Sequence, residues 1–184
     1  FDDGDLFLRL SYDQLDNINF PRQGTQATAE WSWIWKALGA DTSFNRWRYR
    51  GVSAHTWGQH TLIGSLTGVT VSTEDISIQH KVPLGGFLKL SGYHENELQG
   101  KYVLLGNLVY YRQLTSISSL PTYLGGSLEL GNVWDRTADM NLDSLRPAGS
   151  LFLGLDSFIG PVYLGTGYAK GGHHSLFLYL GKSF

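Results

Sequence analysis

Residues 84–112 read LGGFLKLSGYHENELQGKYVLLGNLVYYR. The stretch divides at Gly100. Leu84 to Gly100 is a polar run punctuated by glycine, with an aromatic at its tip. Lys101 to Arg112 alternates as a strand does, with Tyr102, Leu104, Leu108 and Tyr110 outward and Asn107 and Tyr111 inward. Everything on either side of the stretch reads as strand, turn, strand. The loop is therefore the one segment that is neither a membrane strand nor a simple hairpin turn.

Composition points the same way. Charged residues make up 16% of the 184 residues, against about 25% in an ordinary soluble domain. Aromatics at 14% and 23 glycines suit a β protein that shows apolar surface to something other than water. No run approaches the ~18 apolar residues of a membrane helix. A membrane β-barrel escapes that test, because its lipid-facing and lumen-facing residues alternate. With no cysteine there is no disulfide framework and no thiolate chemistry. A net charge of −2 argues against nucleic acid as a partner. The chain opens at Phe1 with neither an initiator Met nor a signal peptide, as a mature fragment or a piece of a longer chain does.

N-terminal to the central stretch, DLFLRLSYD places Leu6, Leu8, Leu10 and Tyr12 on one face. The turn formers of QLDNINFPRQGT then predict a tight connection. In residues 25–36, Ala27, Ala29, Trp31, Trp33 and Trp35 oppose Gln26, Thr28, Glu30 and Ser32. The tryptophans near one strand end suit an interfacial aromatic girdle. In 43–54, Arg46, Arg48 and Arg50 share a face opposite Trp47 and Tyr49. Each arginine would cost ~2–4 kcal/mol at the bilayer midplane, so the three face a wet lumen or solvent. Glu30 is a candidate partner for them. A turn at 55–59 leads to a strand over 60–71.

C-terminal to the stretch, 122–134 sets Leu124, Leu128, Leu130 and Trp134 against Gly125, Ser127, Glu129 and Gly131. The second face is small and polar and leaves room for something packed against it. A loop over 135–149, strands at 150–158 and 162–170, a loop at 171–174 and a final strand complete about nine strands. Turns at 16–23, 55–59, 113–121 and 159–161 fall at one end, and loops at 37–42, 72–99, 135–149 and 171–174 at the other. This is the pattern of an outer-membrane barrel, but single-chain bacterial barrels have even strand numbers. Two unpaired edges cannot sit in lipid, so nine strands must pair with further strands or with another copy.

No catalytic constellation stands out. G-x-S-x-G, the phosphate loop and the dinucleotide fingerprint are absent. The six histidines lack ligand spacing, and no metal or cofactor is expected.

The central stretch also resembles the lid-loop region of the BamA, TamA and FhaC-like outer-membrane assembly and secretion barrels, with their GG…L-R-G-Y…L-x-G…E-Y-R pattern. LDNINFPRQGT is similar to that family's periplasmic turn, LELGNVW to its D-x-G-x-V-W strand, SFIGPVYLGTGY to its I-G-P segment and LYLGKSF to its terminal strand. The matches fall in family order over nearly the whole chain. The resemblance implies an all-β fold: residues 1–184 as the C-terminal half of a transmembrane antiparallel barrel of roughly sixteen strands, with a lid loop at about 72–99 folded into the lumen. In the family, an arginine at the loop tip pairs with the acidic residue of the D-x-G strand. Here Ser91 holds the arginine position, Glu129 the acidic one, and Tyr110 stands where the family has Glu.

The resemblance thus marks Lys89, Ser91, Gly92 and Tyr93 as the lid-loop motif, with Lys89 as the candidate substitute cation. Glu129, Gly131, Arg46, Arg48 and Arg50 are the expected lumen partners, and Gly181 and Phe184 the C-terminal signal. The tip is most similar to that of patatin-like type Vd autotransporters, in which a lipase passenger and one POTRA domain precede the barrel. The implied setting is the bacterial outer membrane. The implied partners are outer-membrane lipids, the barrel assembly machinery and the chain's own passenger and POTRA domain; a second copy in a homodimer is the alternative that the two unpaired edges leave open. No catalysis is expected in this segment. The alternatives are a free-standing small barrel of about eight strands, such as a lipid-modifying enzyme with His173 or His174 near Ser116 or Ser150, and a soluble β-sandwich binder.

Overall fold

The structure, a computed structural model, describes residues 5–38, 42–73, 80–114 and 120–181. The strands in chain order are β1 (Asp5–Asp13), β2 (Gly24–Ile34), β3 (Phe44–Trp57), β4 (His60–Val71), β5 (Val82–Leu84), β6 (Leu98–Gly100), β7 (Tyr102–Gln113), β8 (Thr122–Trp134), β9 (Arg146–Ser157), β10 (Gly160–Ala169) and β11 (His173–Leu180). Nine of them form one antiparallel meander in the order β1-β2-β3-β4-β7-β8-β9-β10-β11. The short β5 and β6 pair only with each other, inside the connection from β4 to β7. Among the described residues β1 and β11 do not pair, so the sheet is open at both edges.

Period-two alternation sorts the side chains. Outward lie Leu8, Leu10, Tyr49, Leu66, Leu108, Leu128, Leu151 and Leu178, all exposed. Inward lie Val52, Ile63, Val109, Tyr111, Phe152 and Tyr163, all buried in one cluster. An apolar face open to the surroundings and a filled inner face make a segment of barrel wall. Aromatics band both ends of the outer face. Trp31 stacks on Trp47 at 5.8 Å and Trp33 on Trp35 at 5.0 Å. At the other end Trp57 lies 6.3 Å from His60, whose Nδ1 is 2.6 Å from the Tyr110 hydroxyl. Trp47 and Trp57 are ten residues apart on β3. That is about 33 Å of strand, which a tilt near 40° reduces to about 25 Å, the height of a barrel's apolar band.

The outer face makes a direct prediction. Leu128 is mid-strand and 69% exposed. Leu128→Arg is expected to lower stability in bilayers by ~2–4 kcal/mol. A soluble sheet would absorb the same change within about 0.5 kcal/mol. Urea titration of the refolded protein in lipid vesicles separates the two.

Several boundaries differ from the expectations. β3 runs on to Trp57, so the expected turn at 55–59 shrinks to Gly58 and Gln59. Gly58 has φ +62, the left-handed first position of a type II′ hairpin turn. β9 starts at Arg146, which shortens the loop after β8, and His173 and His174 open β11 instead of lying in a loop. Tyr102 is buried with Phe44, Val71 and Trp134 at the strand ends. The largest difference is 14–23. It is no tight turn: it folds back and buries Phe20 against the inner face. Ser116 and Phe184 lie outside the described residues, as do 74–79 of the expected lid loop.

Candidate functional site

The segment between β5 and β6 lies against the concave face. Its shape follows from unusual backbone. Gly85 and Gly86 turn the chain at φ +126 and +99, and Leu88 and Leu90 also adopt positive φ, 57 and 70. Leucine gains nothing intrinsic from that conformation, so surrounding contacts must hold it. They do so by aiming two successive amides at one carboxylate. Leu90 N donates to Glu129 Oε2 at 2.6 Å, and Ser91 N to the same oxygen at 2.8 Å. Consecutive N–H groups converging in this way form an anion-binding nest.

The other oxygen is equally occupied. The Ser91 hydroxyl donates to Glu129 Oε1, and Ser127 Oγ donates to it at 2.5 Å. Ser150 Oγ backs Ser127 Oγ at 2.7 Å. Glu129 is 3% exposed, so this buried carboxylate is met by four hydrogen-bond donors from the loop tip and β8. Further bonds fix the tip. Asn107 Nδ2 donates to Leu88 O at 2.9 Å, and the Ser175 hydroxyl donates to Ser91 O. Gly167 is required by the fit: a Cβ there would lie 2.0 Å from Ser91 O. Gly92 answers from the loop side, where a Cβ would lie 2.1 Å from Ala169 N.

Farther from the tip the loop is clasped at its rim. Tyr93 is 2% exposed. Its hydroxyl accepts from Arg146 Nη1 at 2.9 Å, and its ring lies 4.3 Å from that of His173. His173 Nδ1 is in turn 3.6 Å from Glu97 Oε1.

The structure thus brings Ser91, Gly92, Tyr93 and Glu129 into one neighbourhood. Lys89 does not join it as expected. Its side chain is exposed and makes no ion pair among the described residues. Leu88 and Leu90 turn inward on either side of it, which leaves Lys89 facing away. The cation place is taken by two amides and two hydroxyls. Gly131 sits close against Leu104 and Leu105 of β7. Gly125 and Gly165 admit the Phe152 and Phe177 rings beside them.

The three arginines share the inner face and have three different fates. Arg48 Nη1 meets Glu30 Oε1 at 2.7 Å. Arg46 Nη2 donates to His80 O at 3.1 Å, at the base of the loop. Arg50 faces the cavity of about 630 Å³ between loop and sheet, and makes no hydrogen bond or ion pair among the described residues. Glu30 also takes Arg9, whose Nε is 2.8 Å from Oε2. Gly181 has φ +139 and donates its amide to Pro161 O at 3.0 Å.

The sequence expectations assign no role to Arg9 or Phe20, and name Ser150 only as a serine near His173 or His174, not as the support of Ser127. Arg9 was visible, being on the same face as Ser11 and Asp13 and level with Glu30 once β1 pairs with β2. The nest was not visible, because nothing in a leucine announces positive φ.

A family profile described as "Omp85 superfamily domain" matches residues 1–150. The chain belongs to the Omp85 superfamily. Membership implies an outer-membrane location for this Omp85 chain. Among solved structures, the barrel of BamA from Haemophilus ducreyi, crystallised without POTRA domains 1–3, superposes with a TM-score of 0.78 at 13% identity. The match covers 95% of this Omp85 chain and 41% of the BamA chain, and the shared fold is that of a partial barrel. No curated protein sequence matches it.

Proposed function

We propose that this chain is the C-terminal part of an outer-membrane translocator barrel, and that residues 80–100 are a lid resting in its lumen. The carrying observation is the loop tip on Glu129: a polar hairpin from the loop end of the sheet is held in mid-wall by a buried carboxylate. An ornamental surface loop needs no such anchor. Family membership supports the membrane setting. The open edges β1 and β11 favour pairing with further strands over closure as a small barrel. The degenerate tip, serine where the family pattern has arginine, supports the patatin-like type Vd reading: a lipase passenger and a POTRA domain on the same polypeptide, with barrel assembly machinery inserting it.

In this reading the segment performs no catalysis. It supplies the wall, the lid and the seat of the lid. The test is surface display of the linked passenger on intact cells, scored by antibody or protease access. Glu129→Ala is expected to reduce display at least about tenfold, and Lys89→Ala to leave it within about twofold, since an exposed unpaired side chain contributes little. Equal display in both variants would sink the lid reading. If the full-length protein instead shows β1 paired with β11, the small-barrel reading replaces this one.

A further inference from the structure

The 14–23 connection is built with more care than a turn needs. Asp16 Oδ1 accepts from the amides of Arg22 and Gln23 at 2.8 and 3.0 Å. Asn17 Oδ1 accepts from the amide of Asn19 at 2.7 Å. So braced, the segment reaches across the concave face at the end opposite the one where the loop enters. Its anchors lie on four strands. The Thr56 hydroxyl of β3 donates to Arg22 O at 2.6 Å. The Tyr111 hydroxyl of β7 donates to Pro21 O at 2.5 Å. Asn19 Nδ2 donates to Asp156 of β9 at 3.0 Å, and the Tyr163 hydroxyl of β10 donates to Asn19 O at 3.2 Å.

Phe20 is fully buried at the centre of this strap. It stacks 4.2 Å from Tyr123 and lies 5.2 Å from Tyr163. Gly154 makes room for it, because a Cβ there would come within 2.8 Å of the ring. On its other side Tyr163 meets Phe87 of the loop at 4.9 Å. Phe20 and Phe87 therefore belong to one aromatic cluster, and Tyr163 touches both while its hydroxyl holds the strap's backbone.

We propose that residues 14–23 form a second closure of the lumen, opposite the lid, and that lid and strap are coupled through Tyr163. When Phe87 leaves, the Tyr163 ring loses one packed side. A close-packed interior has discrete arrangements and does not deform continuously, so the hydroxyl that holds Asn19 O moves with the ring. Release at one mouth then loosens the other. Coupling between two sites is reciprocal. The inference concerns the two closures alone, and holds or fails whether or not a passenger is exported.

Hydrogen exchange of the full-length protein in detergent micelles reads it directly. The amides of Phe20, Arg22 and Gln23 report the strap, and those of residues 86–93 the lid. Glu129→Ala is expected to speed exchange in the strap about tenfold, within the usual range of coupling, with β3 unchanged. Acceleration confined to residues 84–100 would overturn the proposal. If Glu129→Ala disturbs every strand, Tyr163→Phe decides. It removes only the hydroxyl on the strap. Faster exchange in both strap and lid supports coupling; faster exchange in the strap alone overturns it.

Discussion

Glu129→Ala is expected to undock the loop. The substitution removes one acceptor group and strands three donors of the loop tip, the Leu90 and Ser91 amides and the Ser91 hydroxyl, while the Ser127 hydroxyl can turn to Ser150 Oγ. A buried donor without a partner costs on the order of 1–3 kcal/mol. Retaining the docked state with all three orphaned would be dearer than letting the tip leave for water, where each finds a new partner. The strained backbone at Leu88 and Leu90 then loses the nest that helps to hold it and can relax as well. The measurement is limited proteolysis in micelles. Cleavage within 84–100 should accelerate at least about tenfold, while the barrel keeps its heat-modifiable mobility on gels. Unchanged cleavage would show that Asn107, Ser175 and the Tyr93 clasp suffice to hold the tip.

Gly167→Ala attacks the same seat without touching its charge. The new methyl would stand 2.0 Å from Ser91 O and 2.4 Å from its carbonyl carbon. Both are backbone atoms, and no rotamer change relieves the clash. Overpacking of this kind typically costs 1–3 kcal/mol, and here either the tip or β10 must move. The expected result is loop cleavage comparable to that in Glu129→Ala. Gly64→Ala is the control, because nothing lies within 4 Å of a Cβ there. It is expected to match the wild type. If both alanines behave like the wild type, the fit between Ser91 and β10 is looser than described, and the seat rests on the carboxylate and the other hydrogen bonds to the loop.

How far these features could be read from residues depends on what kind of signal each leaves. The strands were legible, because period two is strict: Leu124, Leu128 and Leu130 against Ser127 and Glu129 admits one orientation on a wall that is wet on one side. The small inner face of β8 was legible as vacant space. The identity of its occupant was not, since local pattern does not encode contact between residues 91 and 129. Only the family resemblance implied it, by setting Ser91 at the position of the family's loop-tip arginine and Glu129 at that of its acidic partner. Lys89 was misjudged for a physical reason. Charge suggested a cation for Glu129, whereas the backbone supplied partial positive charge from two amides, which no residue type reports. Phe20 was hidden differently. Asp16, Asn17, Asn19, Pro21 and Gly24 announce a bend truthfully, but turn chemistry is silent about which way a bend projects its one aromatic.

Glu30 stands opposite Arg9 on one neighbour and Arg48 on the other. It therefore pins three strands to one register. A slip of β1 by a single residue would exchange its faces, turning Arg9 toward lipid at ~2–4 kcal/mol and setting Leu8 or Leu10 against a buried carboxylate. Strand β1 is exposed along its whole length, so it has little packing with which to correct a mistake. The carboxylate therefore fixes the phase of the β1 edge. Any strand laid against the free edge of β1 would take its alternation from the phase set at Glu30.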